Sequence, residues 1–316
     1  MTRLPRSALL FIAIGLAIYA GVYYAAEWLV YRTGKSNPFF KIANAERVEF
    51  DWLILGASHA MPLDFADFNA HIERETGLRT INLATPGTGP LYNRFVLENF
   101  LREHRIRNLL YVVDSFAFYA TEWNEGRFTD AKLLRRTPFK LPVAASLYRY
   151  IRYEGVDPRA GLDYVTGFSK INNRERFTTD LWDGEKQFER VYRPSAAAVR
   201  SRIEYLYPGS APSAMMPRYF EAFAKLIERS RAQGICVTAI KMPLTAQFRN
   251  QLPNEEAFDN AISALLDASG VEFRDFSREL DESRFYFDTD HLNRAGLERF
   301  LDLHLKSLLT APCRGK

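Results

Sequence analysis

A buried strand that ends on a glycine constrains this chain more than any other feature. In DWLILGASHA, residues 51–60, the apolar run Trp52-Leu53-Ile54-Leu55 lacks polar alternation, the mark of a strand covered on both faces. Gly56 ends the run. Ser58 and His59 stand directly behind it, before a helix-like stretch after Pro62. Strand, tight turn and helix place Ser58 at the carboxyl end of a strand, where open α/β sheets form their ligand crevices. A serine hydroxyl is a poor nucleophile unless a base sits beside it and donors hold the oxyanion.

The remaining chain repeats the alternation. Strands are expected over 80–83, 108–113, 235–241 and 271–276, and helices over 63–76, 91–104, 217–233, 254–268 and 294–309. Strands separated by helices of this length predict an α/β fold, a three-layer sandwich around a parallel sheet of about five strands. Residues 119–212 break the pattern with an Arg- and Tyr-rich, turn-punctuated stretch whose best helix runs over 142–153. It reads as an insertion after the third strand, either facing substrate or purely structural. The expected organisation is an anchor over 1–33, a linker and lead-in over 34–50, the α/β domain over 51–118 and 213–316, and the insertion over 119–212.

The anchor is the segment Ala8 to Val30, the only long apolar stretch. At ~1.5 Å per residue it spans roughly 34 Å, enough for a hydrocarbon core of ~30 Å. Tyr19, Tyr23, Tyr24, Trp28 and Tyr31 gather towards one end, as interfacial aromatics do. No small-residue cleavage site follows, so the segment reads as an uncleaved single-pass anchor. Arg3 and Arg6 precede it and Arg32, Lys35 and Lys41 follow, which leaves orientation open by charge. The net charge of +4 over 316 residues is mild and spread out, without the basic stripe of a nucleic-acid binder. Cys236 lies in an apolar strand run and Cys313 in the tail, far apart, so no disulfide between them is expected. Paired-histidine and zinc spacings are absent, and the reading calls for no metal and no cofactor.

The base is expected near the end of the chain. FYFDTDHLNRAG, residues 285–296, puts His291 three residues after Asp288, before a helix that Asn293 can cap. Asp and His three apart across a turn can touch, so the carboxylate can hold the imidazole tautomer as the acid of a Ser-His-Asp triad does. Asp290 reads as a second acid facing solvent. INLATPGTGP, residues 81–90, ends in a glycine-rich loop opening a helix, where Gly87 and Gly89 can bring backbone N–H groups to an oxyanion.

Together these stretches resemble the SGNH/GDSL hydrolase superfamily. Gly56-Ala57-Ser58 matches its nucleophile block, Asn82 through Gly87 its oxyanion-glycine block, and Asp288-x-x-His291 its final block, in the same chain order. The resemblance covers 51–114 and 216–309. It implies catalytic Ser58, His291 and Asp288, with the backbone N–H groups of Ser58 and Gly87 as oxyanion donors. The chain departs from the pattern at Ala57, where the family has an aspartate, and at Val113-Asp114-Ser115-Phe116, where the family offers an asparagine. That side-chain donor is either missing or replaced by Ser115 or His59, and both join Asn82 as pocket candidates; His59 otherwise only fills its turn. The G-A-S-H-A form resembles membrane-anchored relatives associated with bacterial surface polysaccharides. That implies an inner-membrane protein with a periplasmic domain, an acyl-enzyme O-acyltransferase, most simply O-acetyl, acting on an exported polysaccharide. Its implied partners are that polysaccharide and a membrane-bound O-acyltransferase as acyl donor. The alternatives are an esterase using the same triad and a non-catalytic partner on a decayed hydrolase fold.

Overall fold

Central strands buried on both faces decide the layering. The computed structural model describes residues 6–208 and 215–311. Within it five strands pair in parallel: β1 (Glu49–Leu55), β2 (Thr80–Asn82), β3 (Arg105–Val112), β4 (Cys236–Lys241) and β5 (Glu272–Asp275). Their order is β2-β1-β3-β4-β5. Trp52 and Ile54 of β1, with Leu110, Val112 and Ile240, pack on Phe65, Phe68, Ile72, Leu297 and Phe300. On the opposite face the Tyr111 ring lies 4.5 Å from Phe223 of the Pro217–Arg231 helix. Helices on both faces give the expected three-layer α/β architecture. Each large side chain so buried contributes about 1.5–3 kcal/mol, and β1 is buried from Phe50 to Leu55.

The chain divides into two compact units. The larger, from 44–127 and 181 onward, holds the sheet; the smaller combines the first 43 residues with 128–180. The stretch 119–212 is thus shared, its middle belonging to the smaller unit and its flanks to the larger.

The elements depart from expectation at several points. The helix expected over 63–76 is a 3-10 segment, Met61–Asp67, followed by an α-helix, Phe68–Thr76. Ala66 and Asp67 take left-handed φ values of 45° and 61° between them, which breaks the helical ladder. The expected linker contains a helix, Pro38–Asn44, because Asn37 accepts hydrogen bonds from the Phe39 and Phe40 N–H groups at 2.9 and 3.2 Å. Cys236 is disulfide-bonded, which corrects the expectation of an unpaired strand cysteine. The chain's other cysteine, Cys313, lies outside the described residues.

In the smaller unit the Arg6–Thr33 helix is long and apolar enough to cross a membrane. Its distal half is tied to the helices that follow. Glu27 accepts from Phe139 N–H at 2.5 Å and from Lys170 Nζ at 2.6 Å. Arg136 donates to Thr33 Oγ1 at 2.5 Å and to the Glu175 and Thr178 carbonyls at 2.7 and 3.0 Å. The helix expected over 142–153 is present as Leu141–Tyr153.

Candidate active site

Gly56 lets β1 turn against the end of β3. Its φ is +147°, and a Cβ there would lie 2.8 Å from the Val112 carbonyl oxygen. The turn presents Ser58 and His59, both buried, at the carboxyl end of β1, where the strand order reverses between β2 and β3. Asn82 fastens the turn to β2: its Nδ2 donates to the Ala60 carbonyl at 2.7 Å and its Oδ1 accepts from Ala84 N–H at 2.9 Å. Asn82 is therefore a staple of the turn. Thr88 Oγ1 donates to the Gly56 carbonyl at 3.0 Å and brings the glycine-rich loop alongside. In that loop Gly87 has φ +59°, and a Cβ would lie 2.7 Å from the Trp123 ring. Neither Ser58 N–H nor Gly87 N–H has an acceptor among the described residues, although both residues are buried. Buried donors without partners are rare enough to require an explanation.

The Asp288–His291 turn is built locally. Asp288 Oδ1 accepts from the backbone N–H groups of Asp290 and His291 at 3.1 and 2.9 Å. Both Asp288 carboxylate oxygens lie 2.9 Å from His291 Nδ1. Phe287 stacks on the imidazole at 5.5 Å, nearly parallel, and Trp182 meets it edge-on at 5.2 Å. Asn293 locks the turn to the Arg294–Phe300 helix: its Oδ1 accepts from Gly296 N–H at 2.9 Å. Its Nδ2 donates to the carbonyls of Arg190, Arg284 and Tyr286 at 3.0, 2.8 and 3.2 Å. Asn293→Ala removes a cap worth ~1 kcal/mol and strands carbonyls at ~1–3 kcal/mol. A loss of about 2–4 kcal/mol in denaturant unfolding is expected; a change under ~0.5 kcal/mol contradicts this role.

Two further residues turn the serine and histidine into a charge network. Arg202, on the Ala196–Leu206 helix, places Nε 3.2 and 3.0 Å from the two Asp290 carboxylate oxygens. Its Nη2 lies 3.4 Å from Ser58 Oγ and 3.5 Å from His291 Nε2. A guanidinium only donates, so His291 Nε2 is the acceptor and Nδ1–H points at Asp288. Ser58 and His291 share this nitrogen and have no direct hydrogen bond among the described residues. Asp290, expected to face solvent, is instead 1% exposed. Two of its charge partners, His59 and Arg202, are long-range in sequence, which is why its position was not legible.

His59 bridges two carboxylates, Asp114 through Nδ1 and Asp290 through Nε2, the latter at 3.0 Å. Burial alone would push this imidazole down, but the Asp114 and Asp290 charges hold it up, to about 10. Burial likewise pushes the Asp290 carboxyl up, and Arg202, His291 and His59 overcome it and hold the group well below the usual range. Ser115 pairs with the Tyr207 hydroxyl at 2.7 Å and has no hydrogen bond to Ser58 among the described residues. Ligand-type atoms of His59, Asp290 and His291 lie within 4.8 Å of one another, a spacing that suits a metal. The neighbours oppose one: a guanidinium donates into Asp290, and an imidazolium with both nitrogens donating has no lone pair to give.

No protein-family model and no curated protein matches the sequence. Among solved structures, one from Bacteroides fragilis NCTC 9343, described as a candidate acylhydrolase, is similar over 85% of this chain and 92% of its own. The TM-score is 0.41 and the identity 8%, a distance at which the likeness bears on no functional argument.

Proposed function

We propose that the chain is a membrane-anchored serine O-acyltransferase. One observation carries the reading: the strand-end Ser58 shares the Arg202 Nη2 nitrogen with the acceptor nitrogen of an Asp288-held imidazole. In the proposed reaction Ser58 Oγ attacks the acyl carbonyl while His291 Nε2 takes its proton, and Asp288 stabilises the imidazolium. The unpartnered N–H groups of Ser58 and Gly87 receive the oxyanion. Arg202 supplies the side-chain donor that the departure at Asp114-Ser115 removes. Collapse expels the leaving group, protonated by His291. The same nitrogen then deprotonates an acceptor hydroxyl, which takes the acyl group and frees Ser58.

The proposed acceptor is an exported polysaccharide and the proposed donor a membrane-bound O-acyltransferase, as the SGNH-type resemblance implies. The proposed location is the inner membrane, single-pass, with the sheet-bearing unit in the periplasm. The disulfide at Cys236 supports an oxidising compartment. A C-terminal reporter active only in the periplasm should be active; activity of a cytoplasm-only reporter reverses the orientation.

A second reading, a non-catalytic partner, is favoured by Arg202 occupying hydrogen-bond range of both Ser58 and His291. Incubation with a labelled acyl ester, with and without polysaccharide, separates the cases. Label on the sugar supports the transferase, release to water alone the esterase, and no turnover the non-catalytic protein. The role of Arg202 has its own test. Arg202→Met removes one oxyanion donor and should lower turnover by roughly 10²–10³-fold. Arg202→Lys should recover part of it while keeping Asp290 paired. Unchanged turnover in Arg202→Met contradicts the assignment.

A further inference from the structure

Within the smaller unit, exposure runs opposite to what water selects. Between Ala160 and Ile171 the exposed positions are Leu162, Val165 and Phe168, all apolar and 55–66% exposed. The charged residues of this stretch are turned in. Lys170 is buried against Glu27, and Asp163 accepts from the Ser169 N–H and hydroxyl at 2.8 and 2.6 Å. Scattered exposed leucines need no explanation, but a stripe with no exposed polar residue between its members does.

The neighbour of this edge says what covers it. Tyr19 of the N-terminal helix donates to the Thr166 carbonyl at 2.6 Å, and a Cβ on Gly167 would lie 2.5 Å from the Tyr23 ring. A spanning helix needs at least about 17 residues in the hydrocarbon core. Counted from Ala8, where the apolar run after Arg6 begins, that minimum already reaches Tyr24. Tyr19, expected among the interfacial aromatics, is then inside the core, and so is the carbonyl it holds. The Glu27–Lys170 ion pair lies about 12 Å further along the helix at ~1.5 Å per residue, towards the headgroups, where a paired charge is tolerated.

We propose that the Leu162–Val165–Phe168 edge is immersed in the bilayer leaflet from which the N-terminal helix emerges, so that the smaller unit is seated in the membrane as well as tethered to it. The backbone there suits a site without water. Thr166 O accepts from Tyr19, Gly167 N–H donates to the Asp163 carbonyl at 2.7 Å, and the Tyr164 hydroxyl donates to the Pro138 carbonyl at 2.9 Å. The inference rests on the N-terminal helix spanning the bilayer and not on the proposed chemistry.

Footprinting of the full-length protein in phospholipid nanodiscs tests it. A carbene reagent dissolved in the lipid and hydroxyl radicals generated in the water are applied separately, and peptides are read by mass spectrometry. Lipid-side labelling of both the N-terminal helix and the 158–171 peptide, with radical protection at Leu162, Val165 and Phe168, is expected. Val165→Glu should then cut the lipid-side labelling of 158–171 severalfold and leave that of the helix unchanged. Labelling of the helix with radical attack on 158–171 overturns the proposal. Protection from both reagents also overturns it and assigns the edge to a protein partner or a second copy. An unlabelled N-terminal helix removes the anchor itself.

Discussion

Ser58→Ala should lower acyl-ester turnover by about 10⁴-fold or more, the usual consequence of deleting the nucleophile of a Ser-His-Asp triad. The fold should survive the change. The lost oxygen accepts one bond, from Arg202 at 3.4 Å, while Gly56, Asn82 and Thr88 hold the turn without it. His291→Ala should cost a comparable factor, and the double variant little more than either single one, because nucleophile and base act as a unit. Steady-state kinetics on a chromogenic acyl ester, alongside a thermal melt of each variant, make the comparison. A folded Ser58→Ala protein with turnover within tenfold of wild type contradicts the catalytic reading.

His59→Asn should destabilise the larger unit by about 3–5 kcal/mol at neutral pH, the range for breaking a buried charge pair from one side. The imidazolium lies between Asp114 and Asp290. Asp290 retains Arg202, but Asp114 Oδ2 has no partner among the described residues, so the substitution leaves a carboxylate buried and uncompensated. The pH dependence follows from linkage. The folded pKa, about 10, lies above the unfolded value of ~6.5. The stabilisation is fully present below pH ~6.5 and is lost as pH rises through about 10, since over that window the folded state holds a proton that the unfolded state releases. The difference in melting temperature between wild type and His59→Asn should therefore shrink from pH 6.5 to pH 9.5. A difference constant across that range contradicts a charged His59.

What the sequence disclosed and what it hid follows the range of the interactions. The apolar run Trp52 to Leu55 encodes its own burial, and the turn of Asp288, His291 and Asn293 is closed by bonds that mostly span a few residues. Both are readable from spacing alone. Asp290 sits inside the same turn, yet its environment comes from His59 and Arg202, which are 231 and 88 residues away in sequence. No local pattern marks it as buried. Arg202 lay in a stretch without strand–helix alternation, on a helix with few buried residues, and no periodicity singles it out among so many arginines. The helix Pro38–Asn44 was legible in principle, since Asn37-Pro38 is a cap followed by a first-turn proline. The break at Ala66 and Asp67 was not, because neither residue type demands a left-handed φ.

The central claim is that Ser58 carries the acyl group. Its most direct test is peptide mapping by mass spectrometry after brief mixing of the full-length protein with an activated acyl ester, quenched in acid. The account predicts one added acyl group on the peptide containing Ser58, absent in Ser58→Ala and depleted when a polysaccharide acceptor is added before the quench. An adduct on any other residue, or turnover of the ester by the wild-type protein with no adduct trapped on Ser58, would contradict it.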